Sequence, residues 1–313
     1  MLESFRVAFG AVAPFLILLG IGSLIIRFRV ADRPFMNRLN TLNFKVAFPF
    51  MMFNNIYNAN PEDMPSLKLI LTGVLSVLLL ILLLMLVVPR LVRENPRRGV
   101  IIQAIFRSNF VIYGLPLTLS VFGSEKSSVV GMMVLIMVSL FNASSVVILE
   151  IFRGQKVHPG RLLIGLVKNP LLQGCAVGLI FYLFRWKLPS WLQSPVSSLA
   201  GMATTLALLT LGASLRFEDL RANRRIISWV LLIRLVLLPL VMVAFSWLIG
   251  LRGVELFLIL MIFGTPIATS SYPMAQNMGG DGQLAGQLVF TSTVLSLFTI
   301  FCFIFAMSRL GLL

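Results

Sequence analysis

Ten stretches of apolar residues, each close to the roughly 20 that carry a helix across a hydrocarbon core, follow one another with only short polar interruptions. They run approximately over Val7–Ile26, Asn40–Asn58, Leu67–Val88, Gly99–Phe122, Ser127–Ile151, Arg161–Phe184, Val196–Leu215, Ile226–Gly250, Val254–Met278 and Leu284–Met307. The pattern predicts an all-α, polytopic membrane protein with ten transmembrane helices. Six of these segments carry internal proline: Pro14, Pro49, Pro116, Pro170, Pro239, and Pro266 with Pro273. Proline removes a backbone donor and bends a helix, a defect membrane helices accept where neighbouring groups re-satisfy the freed carbonyls. In segments four and nine the proline lies among glycines and small hydroxyls, in Asn109-Phe-Val-Ile-Tyr-Gly114-Leu-Pro116 and Gly264-Thr-Pro266-Ile-Ala-Thr-Ser-Ser-Tyr-Pro273. Those two segments are expected to unwind, with the interruptions at Leu115-Pro116 and Tyr272-Pro273.

The interruptions repeat. Pro116 and Gly123 recur as Pro273 and Gly280, 157 positions later, and the Pro14 to Gly22 step recurs as Pro170 to Gly178, 156 positions later, in a chain of 313. The chain therefore reads as two copies of one unit, residues 1–153 and 154–313. Five segments per copy is an odd number, so the second copy enters the bilayer from the opposite side and the repeats are inverted. Unwound backbone at membrane depth is tolerated only where it lines a cavity or is buried in protein, and broken segments at matching places in two halves point to a transporter's binding site.

Composition agrees: 58% of residues are hydrophobic, 12% are charged and mean hydropathy is +0.97, which excludes an ordinary soluble domain. A net charge of +15 would elsewhere suggest a nucleic-acid partner, but here the basic residues sit at segment ends and act as topology signals, with membrane lipid as the neighbour. The loops after segments one, three, five and seven hold 15 lysines and arginines and the opposite side holds seven, so both termini are expected on the non-cytoplasmic side of a cell (inner) membrane. The first segment is long, contains Pro14 and is followed by further spans, so it does not read as a cleaved signal peptide, and the mature chain is expected to begin at or near Met1. Cys175 and Cys302 fall in apolar runs without metal-site spacing and read as small core residues.

Four basic residues, Lys45, Arg107, Lys168 and Arg234, lie inside the segments. Charge at mid-bilayer is costly and usually faces protein or water. Lys45 and Lys168 are near enough to segment ends to snorkel, Arg234 could pair with a helix end or a carboxylate, and Arg107 stands two residues before Asn109 in a broken segment. The acids are peripheral, with only Glu150 and Asp281 near the interior, so the chain offers no obvious carboxylate proton relay. Positive charge inside without negative charge favours an anionic solute, and half-helix N-termini would add N–H donors. A coupling ion, proton or sodium, stays open, since hydroxyls such as Thr265, Thr269, Ser270 and Ser271 and backbone carbonyls can bind sodium without an acid. No nucleophile or metal constellation is evident, and His158 sits in a basic loop, so neither an enzyme nor a cofactor is expected. Nothing resembles the selectivity filter of a channel. Tyr113 and Tyr272 could stack on a ligand or sit in the core.

The run Arg107-Ser-Asn109-Phe-Val-Ile-Tyr-Gly114-Leu-Pro116 is similar to the Asn-x4-Gly-x-Pro pattern of the auxin efflux carrier family, bacterial malate or malonate transporter-like branch. So are Lys168-Asn169-Pro170, Leu211-Gly212-Ala-Ser-Leu215, and the stretch from Pro266 to Asp281 followed by Ser292-Thr293. The resemblance implies a carrier of the bile acid/sodium symporter superfamily, with segments one, two, six and seven as scaffold. Segments three to five and eight to ten would form the transport unit, with helices four and nine broken and crossing. It also implies that Asn109 contacts a substrate carboxylate near the crossing; the residues beside the two breaks, Arg107, Tyr113, Gly114, Pro116, Thr265, Pro266, Thr269, Ser270 and Pro273, complete the expected site. By the 157-residue offset the partner of Asn109 is Pro266, so Thr265, Thr269 and Ser270 would supply polarity in the second copy. The short connection around Gly154 to Pro159 favours an organic-acid carrier over an auxin carrier. A sodium-coupled carrier of bile-acid-like or aromatic carboxylates and an anion channel are the alternatives. The scaffold helices could make a homodimer.

Overall fold

The computed structural model describes residue 14 and residues 17–58, 65–123, 127–153, 167–214 and 223–313, and among these every regular element is helical. His158, most of the first segment, the loop around Gly154 to Pro159 and Leu215 lie outside the described residues. In chain order the helices are α1 (Ile17–Arg27), α2 (Arg33–Lys45), α3 (Ala47–Tyr57), α4 (Leu67–Leu91), α5 (Asn95–Phe106), α6 (Phe110–Phe122), α7 (Ser127–Ile151), α8 (Pro170–Leu183), α9 (Ser190–Ser214), α10 (Arg224–Leu248), α11 (Gly253–Gly264), α12 (Ser271–Asn277) and α13 (Gly282–Arg309).

Five of them, α4, α7, α9, α10 and α13, are long and apolar enough to cross a membrane. Several other apolar segments are divided, and the divisions have local causes. In segment two, Pro49 cannot donate to the carbonyl of Lys45, and the helix breaks at Val46, whose φ of −116° and ψ of −70° separate α2 from α3. Segment nine breaks because a residue before proline is driven to extended backbone: Thr265, preceding Pro266, has φ −73° and ψ 157°. Segment four breaks without a local proline, at Arg107 to Asn109. The expected interruption at Leu115-Pro116 is thus corrected, since α6 runs through both positions; the Pro116 side chain lies outside the described residues. Tyr272-Pro273 likewise falls inside α12, with the unwound stretch just before it.

Helices α2, α3, α8 and α9 pack together, and α1 lies against α9. Glycines set the spacing of this body. A Cβ at Gly212 would come within 2.1 Å of the Leu19 carbonyl oxygen, and one at Gly174 within 2.3 Å of the Pro49 carbonyl oxygen. Two reciprocal contacts stand out: Gly22 lies against the backbone of Leu209, and Gly178 against the backbone of Phe53. The second body joins α4 to α7 with α10 to α13, and buries α5 and α11 almost completely. Outward faces are apolar: Leu71, Leu75, Leu78, Leu79, Leu82, Leu83 and Leu86 of α4 are exposed, as hydrocarbon surroundings require. Cys302 is also exposed, not a core residue as its apolar context suggested, while Cys175 is half-buried; both are free thiols.

Candidate functional site

The two unwound stretches cross and pair. Ser108 and Ile267 form an isolated antiparallel bridge, and the Asn109 N–H donates to the Pro266 carbonyl at 2.8 Å. The Ile267 N–H finds the Ser292 hydroxyl of α13 at 3.2 Å. Two backbone donors of the breaks, those of Asn109 and Ile267, are therefore satisfied at the crossing, as burial away from water demands.

The crossing sorts helix ends by sign. Here α5 and α11 terminate, presenting carbonyl ends that carry partial negative charge, and α6 begins, presenting amide donors. Arg234, fully buried on α10, serves the carbonyl ends: its terminal nitrogens donate to Ile105 O at 3.1 Å, Thr265 O at 3.0 Å and Ile262 O at 3.3 Å. Of the two partners the sequence allowed it, it takes helix ends. It is delivered there by a π turn over Ile233–Leu237, where Leu238 N–H bonds Ile233 O just before Pro239; such bulges admit one extra residue into a helix.

On the amide side lies a cavity of about 290 Å³. Its walls are Met51, Met52, Asn54 and Asn55 of α3, Arg107 to Asn109, Phe110 and Val111 at the start of α6, Val138, Phe141 and Asn142 of α7, Ser197, Ala200, Gly201 and Thr204 of α9, and Ala268 to Ser270. Arg107 is buried to 3% exposure, with one terminal nitrogen donating to Asn142 Oδ1 and Ser270 Oγ, each at 2.6 Å, and the other to the Met274 thioether. All these acceptors are neutral. Among the described residues no buried residue is acidic, and the three ion pairs are Arg97 with Glu94 and with Asp281, and Arg153 with Glu150. The Asn109 Nδ2 is buried and has no acceptor, and neither has the Ser108 hydroxyl. The first N–H groups of α6 have no intrahelical acceptor by construction. The cavity thus presents donors and a cation with nothing negative opposite them.

Of the residues expected at the site, Arg107, Asn109, Thr269 and Ser270 line this cavity. The others do not. Tyr113 and Gly114 are buried within α6, Thr265 bonds Met261 O and gives its carbonyl to Arg234, Pro266 is spent on the crossing, and Pro273 is buried in α12. Lys45 and Lys168 are exposed. Several motif residues have structural roles: Asn169 caps α8 by accepting from Leu171 N–H, Asp281 caps α13 and pairs with Arg97, and Ser292 supports the crossing. Asn54, Asn55 and Asn142 were not expected; asparagines interrupting apolar runs are the signal that marks them.

A second cavity, of about 340 Å³, is bounded by Arg33, Asn37, Ser214, Tyr272, Gln276 and Gln283 among others. Along α9 the two cavities are some 13 residues apart, about 20 Å at helical rise. Polar ties close the space near the second one: Asn40 Nδ2 donates to Gln276 Oε1 at 2.8 Å, Gln276 Nε2 to Asn37 Oδ1 at 3.0 Å, and the Tyr272 and Ser214 hydroxyls bond one another. These ties join α12 to α2 and α9.

A buried, donor-rich cavity at the crossing of two broken helices, on a body whose outer faces suit lipid, is the construction of a multi-pass membrane transport protein. The chain belongs to that family: the family described as Membrane transport protein (Mem_trans), the auxin efflux carriers, matches residues 7–304. It is 26% identical over 270 residues to an uncharacterized transporter of Methanothermobacter thermautotrophicus, an alignment covering 83% of this chain and 85% of that protein.

Proposed function

We propose that this protein is a secondary carrier of a small organic anion, a carboxylate of the size of malate or malonate, working by alternating access around the crossing of segments four and nine. One observation carries the reading: Arg107 is buried in the cavity wall with only neutral partners, beside an Asn109 amide that lacks an acceptor. A buried cation without an anion is costly, and a bound carboxylate supplies the missing charge in a site already furnished with donors. At about 290 Å³ the cavity sits at the small end of ligand pockets, which favours a compact acid over a bile-acid-like one.

The architecture that goes with this function is ten spans in two inverted copies, residues 1–153 and 154–313. Contacts related by the repeat offset support it. Asn109 bonds Pro266, its own counterpart 157 positions on; Arg234 is shared by Ile105 and Ile262, again 157 apart. The contact of Gly22 with Leu209 becomes that of Phe53 with Gly178 when 156 is added to the first-copy residues and subtracted from the second. The α1, α2, α3, α8, α9 body is the scaffold and the other is the transport unit. The asymmetric distribution of basic residues orients the protein in the cell membrane with both termini outside the cytoplasm. The 340 Å³ cavity then faces the cytoplasm and the 290 Å³ cavity the other side.

The test is thermal unfolding of the purified protein against choline salts of malonate, malate and other organic acids, with malonamide as a neutral control. Carboxylates are expected to raise the unfolding midpoint and malonamide to leave it unchanged; a response to neutral or cationic solutes alone overturns the reading. The polar ties make a second expectation. Each such bond is worth about 1 kcal/mol net, so removing one shifts the balance between closed and open forms about fivefold. In a cysteine-free background carrying Ala213→Cys, Tyr272→Phe or Gln276→Ala should speed maleimide labelling by that factor, and unchanged rates would mean the ties are not a gate.

A further inference from the structure

We propose that Arg234 is a built-in counter-cation that occupies the place where a coupling sodium ion would otherwise bind, so that the crossing needs no sodium. This inference rests on the carrier reading, because it concerns how that crossing is energised. In secondary transporters with broken helices, the carbonyl ends of half-helices and unwound backbone are the groups that coordinate sodium. Here two such ends, those of α5 and α11, converge on one spot, and the three carbonyls of Ile105, Ile262 and Thr265 lie within 3.0–3.3 Å of the Arg234 terminal nitrogens. A guanidinium has five N–H donors, no acceptor and a permanent charge. It satisfies carbonyls that would present a free metal ion with its ligands.

The placement is specific. Arg234 is fully buried, none of the ion pairs among the described residues involves it, and the π turn over Ile233–Leu237 advances it out of ordinary helical register into the junction. Its counterpart by the 157-residue offset is Val77, buried and apolar on α4. One cation from the second copy therefore serves the carbonyl ends of both copies, Ile105 in the first and Ile262 in the second. Because the ion is tethered, it can neither be supplied nor withdrawn by a gradient, so a sodium gradient does no work at this spot.

The test needs no carboxylate. Purified protein is unfolded thermally in sodium chloride and in choline chloride at equal ionic strength. For the wild type the two midpoints should coincide. Arg234→Ala strands the carbonyl ends and is expected to unfold roughly 5–10 °C lower in choline, and sodium should restore about 3 °C or more by filling the vacated place. Arg234→Lys, which keeps a charge there, should stay insensitive to sodium. A sodium-specific rise in the wild type or in Arg234→Lys, or an Arg234→Ala protein with equal midpoints in both salts, overturns the proposal. The malonate response reports on the other face of the crossing, so either result can fail without the other.

Discussion

Replacing Arg107 by methionine is expected to abolish carboxylate binding while leaving the protein folded. The side chain is buried and its partners, Asn142, Ser270 and Met274, are neutral, so its removal strands no opposite charge. Exchanging a buried ion for an apolar side chain of similar length is often neutral or better for stability. The bound anion, by contrast, loses the one cationic contact that the described residues of the cavity offer it. Truncating one partner of such a pair costs about 2–5 kcal/mol, or at least about 30-fold in Kd. Titration calorimetry with malonate on the wild type and on Arg107→Met measures it directly, and unchanged affinity would reassign Arg107 to structure. Asn109→Ala should weaken binding less, by the worth of one hydrogen bond to a charged group, about 1.5–3 kcal/mol, and the difference between the variants separates charge from orientation.

The largest effect on stability is expected from the addition of a single methyl group at Gly212. Its Cβ would fall 2.1 Å from the Leu19 carbonyl oxygen, and Leu19 belongs to the backbone of α1, which cannot rotate aside as a side chain can. The two helices have to separate, and overpacking of this kind costs about 1–3 kcal/mol or more. Gly212→Ala should therefore lower the unfolding midpoint by several degrees. Gly20→Ala, next to the same contact but with nothing within 4 Å of the added atom, should be neutral or stabilising by about 0.5–1 kcal/mol. Equal midpoints for the two variants would show that α1 and α9 have room to spare.

How far the sequence announced all this depends on whether a feature has a local cause. That segment nine is broken was legible from its prolines, but the interruption was expected at Tyr272-Pro273 and lies several residues earlier, where Pro266 drives Thr265 into extended backbone. The break of segment four was misplaced at Pro116 because its true cause, main-chain pairing of residues 108 and 109 with residues 266 and 267, lies far away in the chain. Arg107, Asn109, Thr269 and Ser270 could be nominated from polarity next to a break. Whether a neighbour such as Tyr113 or Thr265 turns toward the cavity is decided by helix phase once the break is positioned, and a shift of several residues in the break changed that phase. Asn142 escaped because it comes from an unbroken helix that meets the cavity only through packing.

The joint between the snapped rods is made by peptide groups, and peptide groups are indifferent to the residues that bear them. On the proposed reading, solute preference and architecture are therefore separable: exchanging the side chains at positions 107, 109, 269 and 270 is expected to change the guest while the splice at the middle of the molecule keeps its N–H to carbonyl link.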